Sequence, residues 1–470
     1  MGVREHRVGR LITIGALSLA GLTSSGCGGR PPFTIVTTND VAGKTSPCGC
    51  HTPKGGLARR AALMDSLRRV KPENVFAVDA GGFFPVTDDE RDAGPFMLRA
   101  MGRMRVRAAG VAPGDLRFGY SFLNDAADSA RVWLVCANLR HRGNDEPAFR
   151  ASGLLSGSGV SIGVFGLMPE GADLGPARDS LVATSPEKAA RSAIATLRAQ
   201  GAQFIVLLSQ LGQAQGESLA VHVPGIDLLV AGGAVPVYPS GKRVGDAVAL
   251  YGGAQGWQVG MADVRMGRPG SRPRIDARTI VLGPEFRTEP AMAASVKGFE
   301  DSLNARLRAR AASFGPTRPG GLPAAHYLGM ANCVKCHTRE YTQWLTTAHA
   351  HAWETLVEQQ KESTPACVPC HVTGHGRPGG YMGDDDAARL GNVQCEACHG
   401  MGTSHKAWEE DRPRVPESVC RGCHTDVTSP TFRFALYRPH VLHDPPRGLV
   451  PLPESPAHRL MHADERTHGR

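Results

Sequence analysis

Cys333-Val-Lys-Cys336-His337, Cys367-Val-Pro-Cys370-His371, Cys395-Glu-Ala-Cys398-His399 and Cys420-Arg-Gly-Cys423-His424 repeat one pattern in the C-terminal part of the chain. Each is a C-x-x-C-H haem attachment signature. Two thiols at this spacing can form thioethers with the two vinyl groups on one porphyrin edge, and the next residue then presents an imidazole to the iron. Cys-x-x-Cys pairs also bind zinc, but zinc needs no histidine directly after every second cysteine, and neither does a disulfide. With 12 Cys and 18 His in 470 residues, chance supplies on the order of 0.01 such motifs. The stretch therefore specifies four covalent haem c groups, attached at the eight motif cysteines and ligated on one face by His337, His371, His399 and His424.

The other face of each iron decides what the group can do. A second imidazole gives a six-coordinate iron suited to electron transfer, whereas an open position admits a small molecule. Ten further histidines are available: His326, His349, His351, His375, His405, His440, His443, His458, His462 and His468.

The runs Cys333 to His349, Cys370 to Tyr381 and Gln394-Cys395-Glu-Ala-Cys-His-Gly400 resemble the tetrahaem cytochrome c554 family, over about residues 326–445. The resemblance extends to residues between the motifs. It implies a small, mainly α-helical, haem-packed cytochrome domain with distal ligands at His349, His405 and His443, His440 being a close rival to the last. It also implies that the haem of His371 lacks a protein ligand on its far face. The chain departs from the family at His375, which is poorly placed to cross that porphyrin and is expected to be solvent-exposed, to serve another iron, or to gate the open site.

The N-terminus reads Arg4, Arg7 and Arg10, then an apolar run from Leu11 to Leu22, then Thr-Ser-Ser-Gly26-Cys27. The run is short for a membrane span, and the pattern is that of an export signal. The Gly26-Cys27 junction resembles a lipoprotein processing site with Cys27 acylated, ordinary signal cleavage nearby being the alternative. Cleavage there removes three Arg and one Glu, lowering the formal charge from +9 to +7. Haem propionates offset most of that excess, and no basic groove interleaved with aromatics points to nucleic acid.

After a Gly/Pro tether, apolar runs of strand length occur at Phe33–Thr37, Val75–Asp79, Val132–Cys136, Val160–Leu167, Phe204–Leu208 and Ile226–Ala231. Helical patterns lie between several of them, clearest at 57–70 and 186–200. This alternation predicts a layered α/β domain. Later runs, Val244–Tyr251, Trp257–Met266 and Arg274–Leu282, lack intervening helices and suggest a second, antiparallel sheet.

The order of signals, Thr38-Asn39-Asp40, Gly55-Gly-Leu-Ala-Arg-Arg60, Asp79-Ala-Gly-Gly82, Ala112-Pro-Gly-Asp115, Leu208-Ser-Gln210 and Gly232-Gly-Ala-Val235, resembles metallophosphoesterases of the 5′-nucleotidase type over about residues 33–285. In that family two divalent metals are held by seven ligands. Carried over, only Asp40 survives; the others fall on Ala42, Gly82, Pro113, Gln210, Gly233 and Val235, and Gly114 takes the place of the general-acid histidine. The implied domain is a degenerate one without phosphoesterase activity.

Near the same place stand Cys48-Gly-Cys50-His51 and Cys136. They are a candidate thiol site for a soft metal or a thiophilic substrate, with a structural disulfide involving Cys136 as the equal alternative. A helix with Phe299, Leu303 and Leu307 and a Pro/Gly hinge then lead to the cytochrome segment. The expected organisation is a signal peptide over 1–26, the phosphoesterase-like domain over 27–285, a linker over 286–325, the tetrahaem domain over 326–445 and a tail over 446–470.

This reads as an exported, lipid-anchored multihaem cytochrome on the periplasmic side, held at the outer or another membrane. It exchanges electrons with redox proteins or quinol-linked membrane complexes. The alternatives are an oxidoreductase acting at an open haem or at the thiols, and a ligand- or partner-binding role for the N-terminal domain.

Overall fold

The computed structural model describes residues 31–48, 53–157, 159–268, 270–313 and, apart from 360, 363, 378, 384–385, 405–414, 426–427, 430 and 447, residues 325–449. The first part is built on fourteen strands. They are β1 (Phe33–Thr38), β2 (Val75–Asp79), β3 (Val106–Gly110), β4 (Trp133–Val135), β5 (Leu139–His141), β6 (Ser152–Gly157), β7 (Val160–Leu167), β8 (Leu181–Ala183), β9 (Phe204–Ser209), β10 (Leu228–Ala231), β11 (Lys242–Val244), β12 (Ala247–Tyr251), β13 (Gln258–Arg265) and β14 (Arg274–Val281). One six-stranded sheet runs β14-β13-β1-β2-β3-β4 and a second runs β11-β12-β10-β9-β7-β6.

β1 is buried at all six positions, FTIVTT, as expected of a central parallel strand covered on both faces. Between the sheets, Phe33, Ile35, Val78 and Ala108 meet Val164, Val206, Leu208, Val230 and Leu250. Phe33 and Phe204 pack edge-to-face at 5.5 Å. Helices α1 (Leu57–Val70), α2 (Ala93–Arg103) and α3 (Tyr120–Ala130) cover the first sheet, while α4 (Pro186–Ala199) and α5 (Gly212–His222) cover the second. The result is a four-layer α/β/β/α sandwich.

The separate antiparallel sheet expected from Val244 onward does not form. β12 pairs parallel with β10 in the second sheet, and β13 and β14 extend the first sheet beside β1 in antiparallel pairing. β13 buries residues on both faces, so an interior place suits it better than a one-sided sheet, and it covers what would otherwise be an exposed edge of β1. α1 starts after Gly55 and Gly56, both with positive φ. A side chain at Gly55 would strike Gly256 and Trp257, so the Gly-Gly pair lets these two loops touch.

Helix α6 (Pro290–Ser313) is more than a linker: Met292 and Val296 join the core under the first sheet, and Phe299 stacks on Phe96 at 4.3 Å. Beyond it the chain forms short helices, α7 (Met330–Cys333), α8 (Thr338–Trp344), α9 (Ala352–Glu358), α10 (Val368–His371), α11 (Ala387–Leu390), α12 (Cys395–His399), α13 (Glu417–Arg421) and α14 (Phe434–Tyr437). Their buried apolar cluster is small: Tyr327, Leu356, Val368, Val372, Tyr381 and Leu390.

Candidate functional site

Each Cys-x-x-Cys-His motif is wound into about one helical turn. His337 N and His424 N donate to the carbonyls of Cys333 and Cys420, and Cys370 N donates to that of Cys367. A turn of this kind sets the two thiols three residues apart on one side, with the histidine following.

The imidazoles then pair across the segment. His349, entering from the turn after α8, lies 6.2 Å centroid to centroid from His424. His443 lies 6.1 Å from His399. His349 with His424, and His399 with His443, are the residues that would hold a haem iron between two imidazoles.

Their hydrogen bonds suit the role. His443 Nδ1 contacts Gln343 Oε1 at 3.1 Å, and His371 Nδ1 contacts the Ala352 carbonyl at 2.5 Å. Anchoring Nδ1 in this way leaves Nε2 for a metal. Burial, then the neighbouring His424, pushes the His349 pKa down to about 4, which keeps its ring in the neutral, ligating form. Phe432 stacks on the His424 ring at 4.5 Å and fixes its plane. Among the described residues no histidine ring faces His371 in the same way. His375 instead stands 6.3 Å from Tyr381.

The four motifs also approach one another in pairs. The Cys333 and Cys395 thiols are neighbours, as are those of Cys370 and Cys423. The first and third motifs are clamped by buried polar groups. Glu396 accepts from Leu328 N, Gly329 N and Gly402 N at 2.9, 2.7 and 2.5 Å, and Gln394 Oε1 accepts from Met330 N at 2.8 Å. Zinc would gather its ligands into one cluster; among the described residues no three His, Cys, Asp or Glu are placed to share a metal ion. Exposed Leu345, Val357, Met382 and Leu436, beside so small a core, leave apolar surface for flat macrocycles to cover. The residues present fit haem. When bound, haem supplies one-electron redox chemistry at iron.

In the layered domain Asp40 lies at the end of β1. Its carboxylate accepts from Gln210 Nε2 at 3.2 Å, Gly233 N at 2.9 Å and Asn39 Nδ2 at 2.9 Å. Gln210 Nε2 also donates to the Ala80 carbonyl at 3.0 Å. An amide donor thus sits against the one retained ligand position. Side chains at Gly82 or Gly232 would collide with Asp40 and Gln210, so the site is closed by its own residues. Asp40, Ala42, Ala234 and Gln255 all have left-handed φ without being glycine. Strain of that kind, here ringing one carboxylate, is of the sort that gathers at functional sites.

Two further acids are fully buried nearby. Asp115 accepts from the backbone N–H groups of Gly82, Phe83, Phe84 and Ala112, and burial outweighs these bonds to push its pKa up to about 6. Burial likewise pushes Asp79 up to about 7, against hydrogen bonds from Thr38 and Gly81 N and the charge of Arg60.

Cys48 and Cys136 do not converge. Cys48 Sγ accepts from Trp257 Nε1 at 2.7 Å, on the β13 side of β1. Cys136 follows β4, at the far edge of the same sheet, fully buried 3.6 Å from Asn138 Oδ1. Three strand spacings of ~4.8 Å separate β1 from β4, too far for a disulfide or a shared metal. Both thiols are free, which corrects an expected site or bridge joining Cys48 to Cys136; Cys50, the third cysteine of the expected site, lies outside the described residues. Cys27, Cys50, His51, His405, His458, His462 and His468 lie outside the described residues.

Comparison with known proteins separates the two parts. The layered part has the metallophosphoesterase fold. It is similar to a 5′-nucleotidase precursor from Thermus thermophilus (24% identity, 58% of this chain and 59% of that one, TM-score 0.53) and to the sulfate thiohydrolase SoxB of the same organism (17%, 57% and 60%, TM-score 0.52). A calcineurin-like phosphoesterase from Bacillus subtilis gives 16% identity over 58% of this chain and 98% of its own, with TM-score 0.50. At these identities the likeness concerns the fold. The C-terminal part is similar to another family: residues 332–400 match the family model of cytochrome c554 and c-prime. Cytochrome c-554 of Nitrosomonas europaea is 32% identical over 24% of this chain, which spans 63% of that protein's length. This match implies covalently bound c-type haem in this part of the chain.

Proposed function

We propose that this chain is an exported, lipid-anchored tetrahaem cytochrome that passes electrons between redox proteins, or from a quinol-linked membrane complex, at the periplasmic side. The observation that carries the reading is the pairing of His349 with His424 and of His399 with His443, their ring centroids 6.2 and 6.1 Å apart, on a segment bearing four attachment motifs. Irons held between two imidazoles change little on reduction, which favours transfer, and the neighbouring thiols of paired motifs bring the macrocycles close.

The layered domain has lost dinuclear metal hydrolysis in this reading, because Gln210 fills the place of a metal ligand and five more ligand positions carry no donor side chain. It serves as a scaffold or partner surface. A second reading, a small-molecule reductase or oxidase, is favoured at His371, where no second imidazole is found among the described residues.

The test is the holoprotein matured with working haem-attachment machinery. Expected are the mass of four haems and predominantly low-spin EPR signals, with one high-spin signal lost on adding cyanide if the second reading also holds. A colourless polypeptide with the mass of its amino acids plus lipid overturns the proposal.

A further inference from the structure

β1 to β4 are parallel and start at one end of the sandwich, and α1, α2 and α3 return to that end. Arginines accumulate there: Arg68 and Arg69 in the last turn of α1, Arg105 just before β3, and Arg265, Arg268 and Arg274 around the β13–β14 turn. The register sets Phe33 against Val264 and Arg265 against Arg274, so this turn stands beside the first residue of β1. Arg68 is half-buried and the other five are exposed. Among the described residues none of the six forms an ion pair, although Asp65, Glu73 and Asp276 lie on the same end. Val70, next to Arg69, is 79% exposed.

The chain enters β1 at this same end. Cys27 is six residues before Phe33, and an extended segment of that length reaches ~20 Å. A lipid on Cys27 would hold this face, and no other end of the domain, within reach of a bilayer. We propose that the arginine-rich end of the layered domain is a docking surface for the anionic phosphate headgroups of the membrane in which the chain is anchored. The inference rests on the lipid-anchor reading for its geometry and on the arginines for its chemistry. A cationic face beside the anchor adds attraction to anionic headgroups with each arginine near the surface. The haem-bearing part then faces away: its Gln359 lines one cavity with Thr45 and Ser46, which follow the opposite end of β1.

The experiment uses the holoprotein exported behind an ordinary cleavable signal and carrying Cys27→Ser, so that neither lipid nor leader remains, sedimented with phosphatidylcholine vesicles made with or without phosphatidylglycerol. Expected is binding to the phosphatidylglycerol vesicles only, lost at high salt. In an Arg265→Gln, Arg268→Gln, Arg274→Gln triple variant the partition falls about fivefold per arginine, about a hundredfold in all. Equal binding to both vesicles, no binding to either, or a triple variant that binds like its parent overturns the proposal. Mass spectrometry of the unsubstituted protein tests acylation of Cys27 separately, so failure of the anchor and failure of the surface are distinguishable.

Discussion

Replacing Glu396 by alanine removes a carboxylate that is 4% exposed and accepts three backbone N–H groups. Each donor left buried without a partner costs about 1–3 kcal/mol. Three of them, with some relaxation, give a loss of about 3–6 kcal/mol. Two of the donors, Leu328 N and Gly329 N, belong to the approach to the first motif, while Glu396 itself lies inside the third. The loss therefore loosens the first and third motifs against each other and leaves the second and fourth in place. Glu396→Gln keeps one acceptor oxygen and turns an amide donor towards an N–H, so it falls between parent and alanine. Denaturant unfolding of the oxidised holoprotein, followed by visible circular dichroism, measures the stability. EPR and potentiometric titration read the haem pair. The expected result is a lower unfolding midpoint with altered signals from one pair only. An unchanged midpoint with unchanged potentials in Glu396→Ala refutes the reasoning.

His349→Ala and His443→Ala should each convert one low-spin EPR signal to high-spin, and the double variant two; retention of all low-spin signals would reject these axial assignments. Asp79 has a folded pKa of about 7, above the usual carboxylate range, so its contribution to stability is present below about pH 4 and is lost as pH rises through 7. Thermal unfolding of Asp79→Asn should accordingly vary less between pH 4 and 7 than the parent, and an identical slope would count against the buried acid. With added Mn²⁺, neither the parent nor Gln210→His should hydrolyse a phosphate monoester, because Ala42, Gly82, Pro113, Gly233 and Val235 still supply no ligands. Metal-dependent turnover by the parent would reverse that conclusion.

The haem motifs were legible because covalent attachment needs fixed residues at fixed spacing, and the strands β1, β2, β7, β9 and β10 because their apolar runs are bounded by turn residues. β3 was not: Val106-Arg-Ala-Ala-Gly mixes a charge with small residues, and only its place between β2 and β4 makes it a strand. The siting of β13 depended on which strand edge needed covering, a long-range matter that local periodicity does not carry. The pairing of His349 with His424 and His399 with His443 joins residues far apart in the chain, so sequence could nominate these histidines without matching them. The clamp of Glu396 and Gln394 was missed because an acid inside a haem motif looks like a solvated variable position. Its signal, if any, is a Gln and a Glu flanking Cys395 just after an apolar turn. Cys48 and Cys136 were drawn together by analogy with a converging metal centre, and strand order separates them.

The amide of Gln210 against Asp40 has a consequence for how this protein is supplied. A dinuclear centre ties the integrity of its fold to the cations around it, and chelation outside the cytoplasm can strip it. On the proposed reading the tie is instead a side chain encoded in the polypeptide, so it cannot dissociate or be exchanged for a wrong ion. The layered domain can therefore stand in surroundings poor in divalent metal.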